Sequence, residues 1–362
     1  MFASRASPYC VNRPRNPPLR EPAHDVPSAS SRNDAARGTA FDLRATAALL
    51  RDAFPIPVFS GDAYLRWLYE RNPHGRATVG DVDDDDGRRI AHLGLVPQVW
   101  RSPEGSERFL LALNAVHAVR QYVRQARPPA EARSRKRVTL ANLAAGLYQQ
   151  AAVEGYIGVF GVPNAQSTHT FVRKQGFRLI RPLPVRACLP VPPWRGRVES
   201  FDADAQFLRS DHFAEVVAGL GDLPVERWVQ HVSTPWLRWR LSRPLARYAL
   251  HRGPAGIAIS TDEVRGGARF ALMLKLYPRM DAGWDGRSRI LANDLVFAAC
   301  RFHRTPFAVY AGFNRHMDLW GVPIPRRYLP APLNLSILSL STGLDQAGFD
   351  VDTYEFLDGD QY

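Results

Sequence analysis

Apolar residues recur at helical spacing from Phe41 onward. Leu43, Ala47, Leu50 and Phe54 share one stripe and predict a helix over 41–54. A second helix is predicted over 61–70, bearing Tyr64, Trp67 and Leu68 and stopped at Asn72-Pro73. The pattern then turns to strands: 77–82, an acidic hairpin tip at Asp83-Asp84-Asp85-Asp86-Gly87, the returning strand 90–100, and a long apolar strand over 107–119. A basic loop, 124–137, leads into a helix with Leu140, Leu143, Leu147 and Ala151 on one face, closed by Gly155. A buried strand over 156–160, a helix opened by Asn164 and ended at Gly176-Phe177, and a strand through Leu179 complete this run.

Pro182, Pro184, Pro190, Pro192 and Pro193 mark 181–200 as a linker. A second run of elements follows and echoes the first. Tyr64-Leu65-Arg66-Trp67 with Pro73 returns as Trp236-Leu237-Arg238-Trp239 with Pro244. Strands are predicted at 247–251, 257–264 and 270–277, a helix at 288–302 and a buried strand at 307–310. An echo separated by more than about 150 residues means duplicated domains rather than a solenoid. The expected division is a disordered tail over 1–40, a first domain over 41–180, the linker, and a second domain over 201–362.

Composition narrows the reading. A chain of 362 residues with 45% hydrophobic content and eight Trp suffices for two cores. The formal charge of +12 invites a nucleic-acid reading. Nearly all of the positive charge is arginine, however, since Lys136, Lys174 and Lys275 are the only lysines, and no zinc-finger or aromatic RNA-binding motif accompanies it. No nucleic-acid partner is expected. Cys10, Cys188 and Cys300 form neither a disulfide framework nor a metal set, and the aspartate run lacks the alternating ligands of a calcium loop, so no metal is expected. With no apolar run of about 18 residues and no apolar core at the start, no membrane span is predicted and the cytoplasm is the expected location.

Gly155-Tyr156, Gly161-Val162-Pro163-Asn164 and Phe171-Val172-Arg173-Lys174-Gln175-Gly176-Phe177 together resemble the last block of the GNAT N-acetyltransferase superfamily: a strand, an Asn, a short helix and a Gly-Phe ending. Tyr64-Leu65-Arg66-Trp67 with Asn72-Pro73-His74-Gly75, and the closing Tyr354-Glu355-Phe356-Leu357-Asp358-Gly359-Asp360, resemble a bacterial branch of that superfamily whose members often carry two such domains. The resemblance implies an α/β fold with mixed, splayed sheets, two tandem acyl-CoA N-acyltransferase-like domains, acetyl-CoA or another acyl-CoA as co-substrate, and a small-molecule amine acceptor. An amino sugar acceptor, and acyl carrier protein as donor, are alternatives it leaves open, as is a non-catalytic binding module. The donor is expected in a wedge between strands 109–119 and 156–160, its pyrophosphate at the start of the helix between them. Helix N-termini suit phosphate because their N–H groups are unpaired and the dipole is positive there.

The chain departs from the family's pattern at two points. The family's phosphate loop reads Arg or Gln, two residues, Gly, one residue, then Gly or Ala. Here it aligns with Arg135-Lys136-Arg137-Val138-Thr139-Leu140, with Val138 at the first glycine position. Arginine forks supply charge in its place, so Arg135, Lys136, Arg137, Val138 and Thr139 are the candidate donor-binding residues, with Asn164 as helix N-cap and donor contact. The place where many members carry a thiolate-protonating Tyr falls on Phe171, with His169 close by as substitute. His117, on the wedge strand, is the candidate general base because an imidazole titrates near the working pH.

Overall fold

The computed structural model describes residues 41–54, 61–84, 86–117, 140–192, 196–223, 225–279, 289–329 and 331–359. The tail over 1–40 and the loop that contains Arg135, Lys136, Arg137, Val138 and Thr139 lie outside the described residues.

The first half opens with α1 (Leu43–Ala53), capped where the Asp42 carboxylate accepts from the Ala45 N–H at 3.1 Å, and α2 (Asp62–Glu70). The strands β1 (Thr78–Asp83), β2 (Arg89–Ser102) and β3 (Gly105–His117) form an antiparallel meander. After α3 (Leu140–Val153), β4 (Gly158–Gly161) returns parallel to β3, as a crossover helix requires. Then come α4 (Ala165–Gln175) and β5 (Arg178–Pro182). Asn164 caps α4 by accepting from the Gln166 and Ser167 N–H groups, and Gly176 ends it at φ 78°.

The second half lays down β6 (Val185–Cys188), β7 (Glu199–Asp202), α5 (Ala205–Arg209), α6 (Asp211–Val217), β8 (Val229–Gln230) and α7 (Thr234–Leu241). The meander β9 (Ala249–Gly253), β10 (Gly256–Arg265) and β11 (Ala268–Pro278) follows, then β12 (Ile290–Leu291) and α8 (Asn293–His303), with β13 (Ala308–Asn314) parallel to β11. The chain closes with β14 (Met317–Asp318), β15 (Val322–Pro323), β16 (Asn334–Ser339) and β17 (Thr353–Glu355). No helix stands between β13 and β15, where the first half has α4 between β4 and β5.

The two sheets have matching orders, β1-β2-β3-β4-β16-β5 and β9-β10-β11-β13-β6-β15, with β7 added beside β9. The first sheet therefore takes β16, and β8 beside β2, from the second half, and the second sheet takes β6 from the stretch between the halves. β16 lies antiparallel between β4 and β5, and β6, drawn from the stretch expected as linker, lies antiparallel between β13 and β15. Both faces of the first sheet are covered. Leu110 and Ala112 pack under α3 with Ala144, Leu147 and Ala151, whereas Phe109 and Leu111 pack with Trp100, Phe160, Phe349 and Tyr354. A strand buried on both faces reads as a continuous apolar run, which explains Phe109-Leu110-Leu111-Ala112-Leu113.

The echoed helices meet. Trp67 of α2 and Trp239 of α7 stack with centroids 4.8 Å apart. The Trp67 indole N–H donates to the Trp239 carbonyl at 2.7 Å, and the Trp239 indole N–H donates to the Trp67 carbonyl at 2.9 Å. Such reciprocity is what a local two-fold axis between two copies of one fold produces. Tyr64 and Trp67 are 2% exposed, so they serve this seam and its core.

Candidate functional site

In the first sheet β3 and β4 pair from Phe109 opposite Gly158 to Ala112 opposite Gly161 and then part. β3 continues to His117 on β2 alone; among the described residues no strand enters between the parted ends. Just past the parting point β3 carries a bulge: Leu113 pairs with Gly94 and Val116 with His92, so Asn114 and Ala115 stand against Leu93. Asn114 has φ 54°, a left-handed conformation that Asn tolerates better than most residues with a side chain. A bulge interrupts the ladder and leaves backbone groups unpaired at that place.

Behind the bulge runs a buried polar chain. Asn114 Nδ2 donates to the Tyr69 hydroxyl at 2.8 Å, and that hydroxyl is 2.9 Å from His92 Nε2. His92 Nδ1 lies 2.6 Å from Asp81 Oδ1, and Arg89 holds the other Asp81 oxygen at 2.9 Å. An acceptor-only carboxylate on Nδ1 places the ring proton there, so Nε2 accepts and the Tyr69 hydroxyl donates to it. His92 and Tyr69 are 1% exposed, whereas Asn114 is half-buried and brings the chain to the wedge. Gly94 makes room for it: a side chain there would start 2.8 Å from the Tyr69 oxygen. Nothing in the sequence pattern marks these residues. A His and an Asp sitting on two adjacent predicted strands, at a depth only pairing register reveals, are the sole signal.

At the seam between the halves, β2, β3 and the C-terminal segment enclose a narrow pocket. Its walls include Leu68, Leu113, Trp236, Trp239, Gln230 and Asp358.

Among the described residues, those singled out from sequence do not gather into one bonded cluster. His117 ends β3, one wedge strand; its side chain lies outside the described part. His169 is exposed on α4. Asn164 is spent on capping α4, and its neighbour Thr168 accepts from Asn334 Nδ2 at 2.7 Å, tying α4 to β16. Phe171 is buried, its ring 5.0 Å from that of Phe177, in the core beneath α3.

The second sheet treats the matching place differently. β11 and β13 pair from Ala271 opposite Ala308 to Met273 opposite Tyr310 and then part. Here β17 occupies the gap: Gly312 to Asn314 of β13 pair with Glu355 to Thr353, and the Leu357 N–H donates to the Leu274 carbonyl of β11 at 3.0 Å. Gly312, at φ 125°, permits the approach, since a side chain would collide with the Tyr354 carbonyl. Two residues past the last parallel pair, where β3 has Asn114, β11 has Lys275. This lysine is 3% exposed and ion-pairs with Asp358 at 2.7 Å and Glu355 at 3.2 Å. Tyr310 donates to the other Glu355 oxygen at 2.9 Å. Burial pushes the Glu355 carboxyl up to about 7 in spite of Lys275.

No family model and no curated protein matches the chain. Solved structures do. A conserved protein of unknown function from Enterococcus faecalis V583, described as a probable N-acyltransferase, matches with a TM-score of 0.50 and 9% identity over 83% of this chain and 70% of its own. A GCN5-related N-acetyltransferase from Anabaena variabilis ATCC 29413 matches with a TM-score of 0.50 and 12% identity over 82% of this chain and 70% of its own. At such identities it is the fold that is shared. With its own duplicated meander, crossover helix and parallel strand, the chain has the fold of the GCN5-related N-acetyltransferases, twice over in tandem.

Proposed function

We propose that this protein is an N-acyltransferase which moves an acyl group from acetyl-CoA, or another acyl-CoA, to a small-molecule amine, and that it does so in the first half alone. The observation that carries this reading is the contrast between the two wedges: the β3–β4 wedge opens beside a bulge, whereas the β11–β13 wedge holds the chain's own β17. In this reading the donor's thioester lies along the bulge at Asn114, where a free backbone N–H stabilises the oxyanion as the amine attacks. The thioester is already activated, so holding the amine against it supplies much of the rate. Asn114, oriented through Tyr69, His92 and Asp81, fixes the bulge. His117 takes the amine's proton. The loop Arg135-Lys136-Arg137-Val138-Thr139, ahead of α3, holds the donor's phosphates with its cations. The second half braces the first.

Isothermal titration with acetyl-CoA tests the reading. One site per chain is expected, and changing Arg135, Lys136 and Arg137 together to Ala should weaken it at least tenfold, since each charge-assisted phosphate contact contributes about 1.5–3 kcal/mol. Two sites per chain, no binding, or unchanged affinity in the triple variant would refute it.

A further inference from the structure

Large hydrophobic side chains left in water gather at one edge of the second sheet. Nine are exposed among the described residues, and five of them, Leu189, Leu291, Trp320, Val322 and Tyr328, lie on β12, on β15 or on the chain beside β6 and β15. Single exposed apolar residues are ordinary, whereas a group of them marks a contact surface. Trp320 is 70% exposed and Val322 67%.

Strand pairing brings them together. β15 runs antiparallel to β6, with Val322 opposite Ala187 and Pro323 opposite Arg186. That register, continued for two residues, sets Trp320 opposite Leu189. Gly321 is pressed onto β6, since a side chain there would start 2.7 Å from Cys188 Sγ. The Trp320 N–H donates to Asn293 Oδ1 at 2.7 Å, two residues beyond Leu291, and Leu291 itself pairs opposite Asp318. β15 is the last strand on this side of the sheet, and Pro323 and Pro325 deny it N–H groups for a further strand. The edge is therefore unsuited to receiving a β-strand from another protein.

The charge here has one sign. Residues 319–344 include Arg326 and Arg327 and no acid. Arg326 donates to two neutral groups, the Leu333 carbonyl at 3.3 Å and Asn334 Oδ1 at 2.9 Å, and Arg327 lies 4.8 Å from the centre of the Tyr328 ring. The acid beside them, Asp318, is shared by Arg186 at 2.7 Å and Arg289 at 3.4 Å. A second copy docking by this same edge would set like charge on like. Aromatic and aliphatic tips rimmed by arginine fit a bilayer surface instead. Trp and Tyr settle at headgroup level, and an arginine stem reaches from apolar matter to a phosphate. We infer that this edge docks on an anionic lipid surface, Trp320 and Val322 entering the headgroup region while Arg326 and Arg327 meet lipid phosphates. The inference is independent of the acyl-transfer reading.

Co-sedimentation of the full chain with two kinds of vesicle tests it: equimolar phosphatidylglycerol and phosphatidylcholine, and phosphatidylcholine alone. The anionic vesicles should be bound at least tenfold more tightly, since two arginines contribute about fivefold each near such a surface. Trp320→Glu should weaken that binding at least tenfold, the scale of one large apolar side chain kept in water, and Arg327→Gln about fivefold. Val153→Ser, which alters an exposed apolar residue at the end of α3, should leave it unchanged. Equal affinity for both vesicles, or binding to neither, overturns the inference. So does anionic binding that Trp320→Glu leaves at the parent level, which would assign the attraction to arginines elsewhere in the chain. A dimer in sedimentation velocity that Trp320→Glu abolishes, with no vesicle binding, assigns the edge to a second copy and overturns it as well.

Discussion

The two wedges start from the same architecture and end as different objects. In each half a meander's last strand pairs with a parallel strand for a few residues and then leaves it. In the first half the parting strand bulges at Asn114 and turns its amide to a buried tyrosine. In the second half the corresponding step is Lys275, whose ammonium draws Glu355 and Asp358 of the C-terminal segment into the gap. At the same strand position the first sheet has Asn114 hydrogen-bonded to Tyr69 and the second has Lys275 ion-paired to the segment that fills its gap. The difference teaches that two copies of one fold can keep the same frame while the chain's own strand satisfies the backbone freed between the parting strands in one of them.

Removing the lysine is the most damaging way to break that comparison. Lys275→Met leaves two buried carboxylates facing each other without a cation, and breaking a buried ion pair in this way costs about 3–5 kcal/mol. Urea unfolding should show that loss as a lower midpoint. A loss below about 1 kcal/mol would mean that the segment is held by its backbone bonds and apolar contacts, and that the ions are incidental.

Much of this frame was legible in the sequence, and the reasons it was not wholly so are physical. The paired Leu-Arg-Trp helices announced the duplication, because a helix face that stacks on its own copy keeps the same aromatic in both. The meanders and crossover helices were legible because their contacts are local. The exchange of β6 and β16 was not. Val185–Cys188 sits among prolines, and its partner Ala308–Ala311 lies more than a hundred residues away, so no local pattern states the pairing. Asn334–Ser339 does alternate polar and apolar, as Asn334, Leu335, Ser336, Ile337, yet alternation names a strand and not its sheet. The site was less legible still. Asp81, His92, Tyr69 and Asn114 converge only once β1, β2 and β3 are in register, and Asp358 looked like the tail of a familiar ending rather than the wall of a pocket. The domain limits at 180 and 201 remain our proposal, with the qualification that strands cross them in both directions.

Tyr69→Phe sharpens the comparison from the other side. It removes one hydroxyl between Asn114 and His92 while the ring still packs against Gly94. If the chain orients the bulge for catalysis, kcat should fall about a hundredfold, the lower end of the loss for one transition-state contact, with the KM for acyl-CoA little changed. A variant with wild-type kcat and a lowered melting temperature would make the chain a structural network, on a par with the Lys275 cluster.

The smallest expected effect concerns a second buried imidazole. His92 has a carboxylate on Nδ1, but His251 in the second half has only hydroxyls, Ser200 at 2.8 Å and Ser260 at 2.7 Å, with Ser260 also 2.8 Å from His303. Fully enclosed and lacking a counter-charge, His251 is held down to about 3, chiefly by burial and further by His303. Unfolded, it titrates near 6.5. Above that pH both states leave the ring neutral and stability is intact. As the pH falls through 6.5 the unfolded chain takes up a proton that the folded chain refuses, so stability is lost toward acid at about 1.4 kcal/mol per pH unit. Replacing His251 by Gln preserves hydrogen-bonding groups beside Ser200 and Ser260 and removes that proton. Urea midpoints measured at pH 7, 6 and 5 should then decline less steeply in His251→Gln than in the parent, by about one proton's worth. Parallel declines would mean that the ring is protonated in the folded state, and that the second half, like the first, supplies its buried histidine with a charge partner.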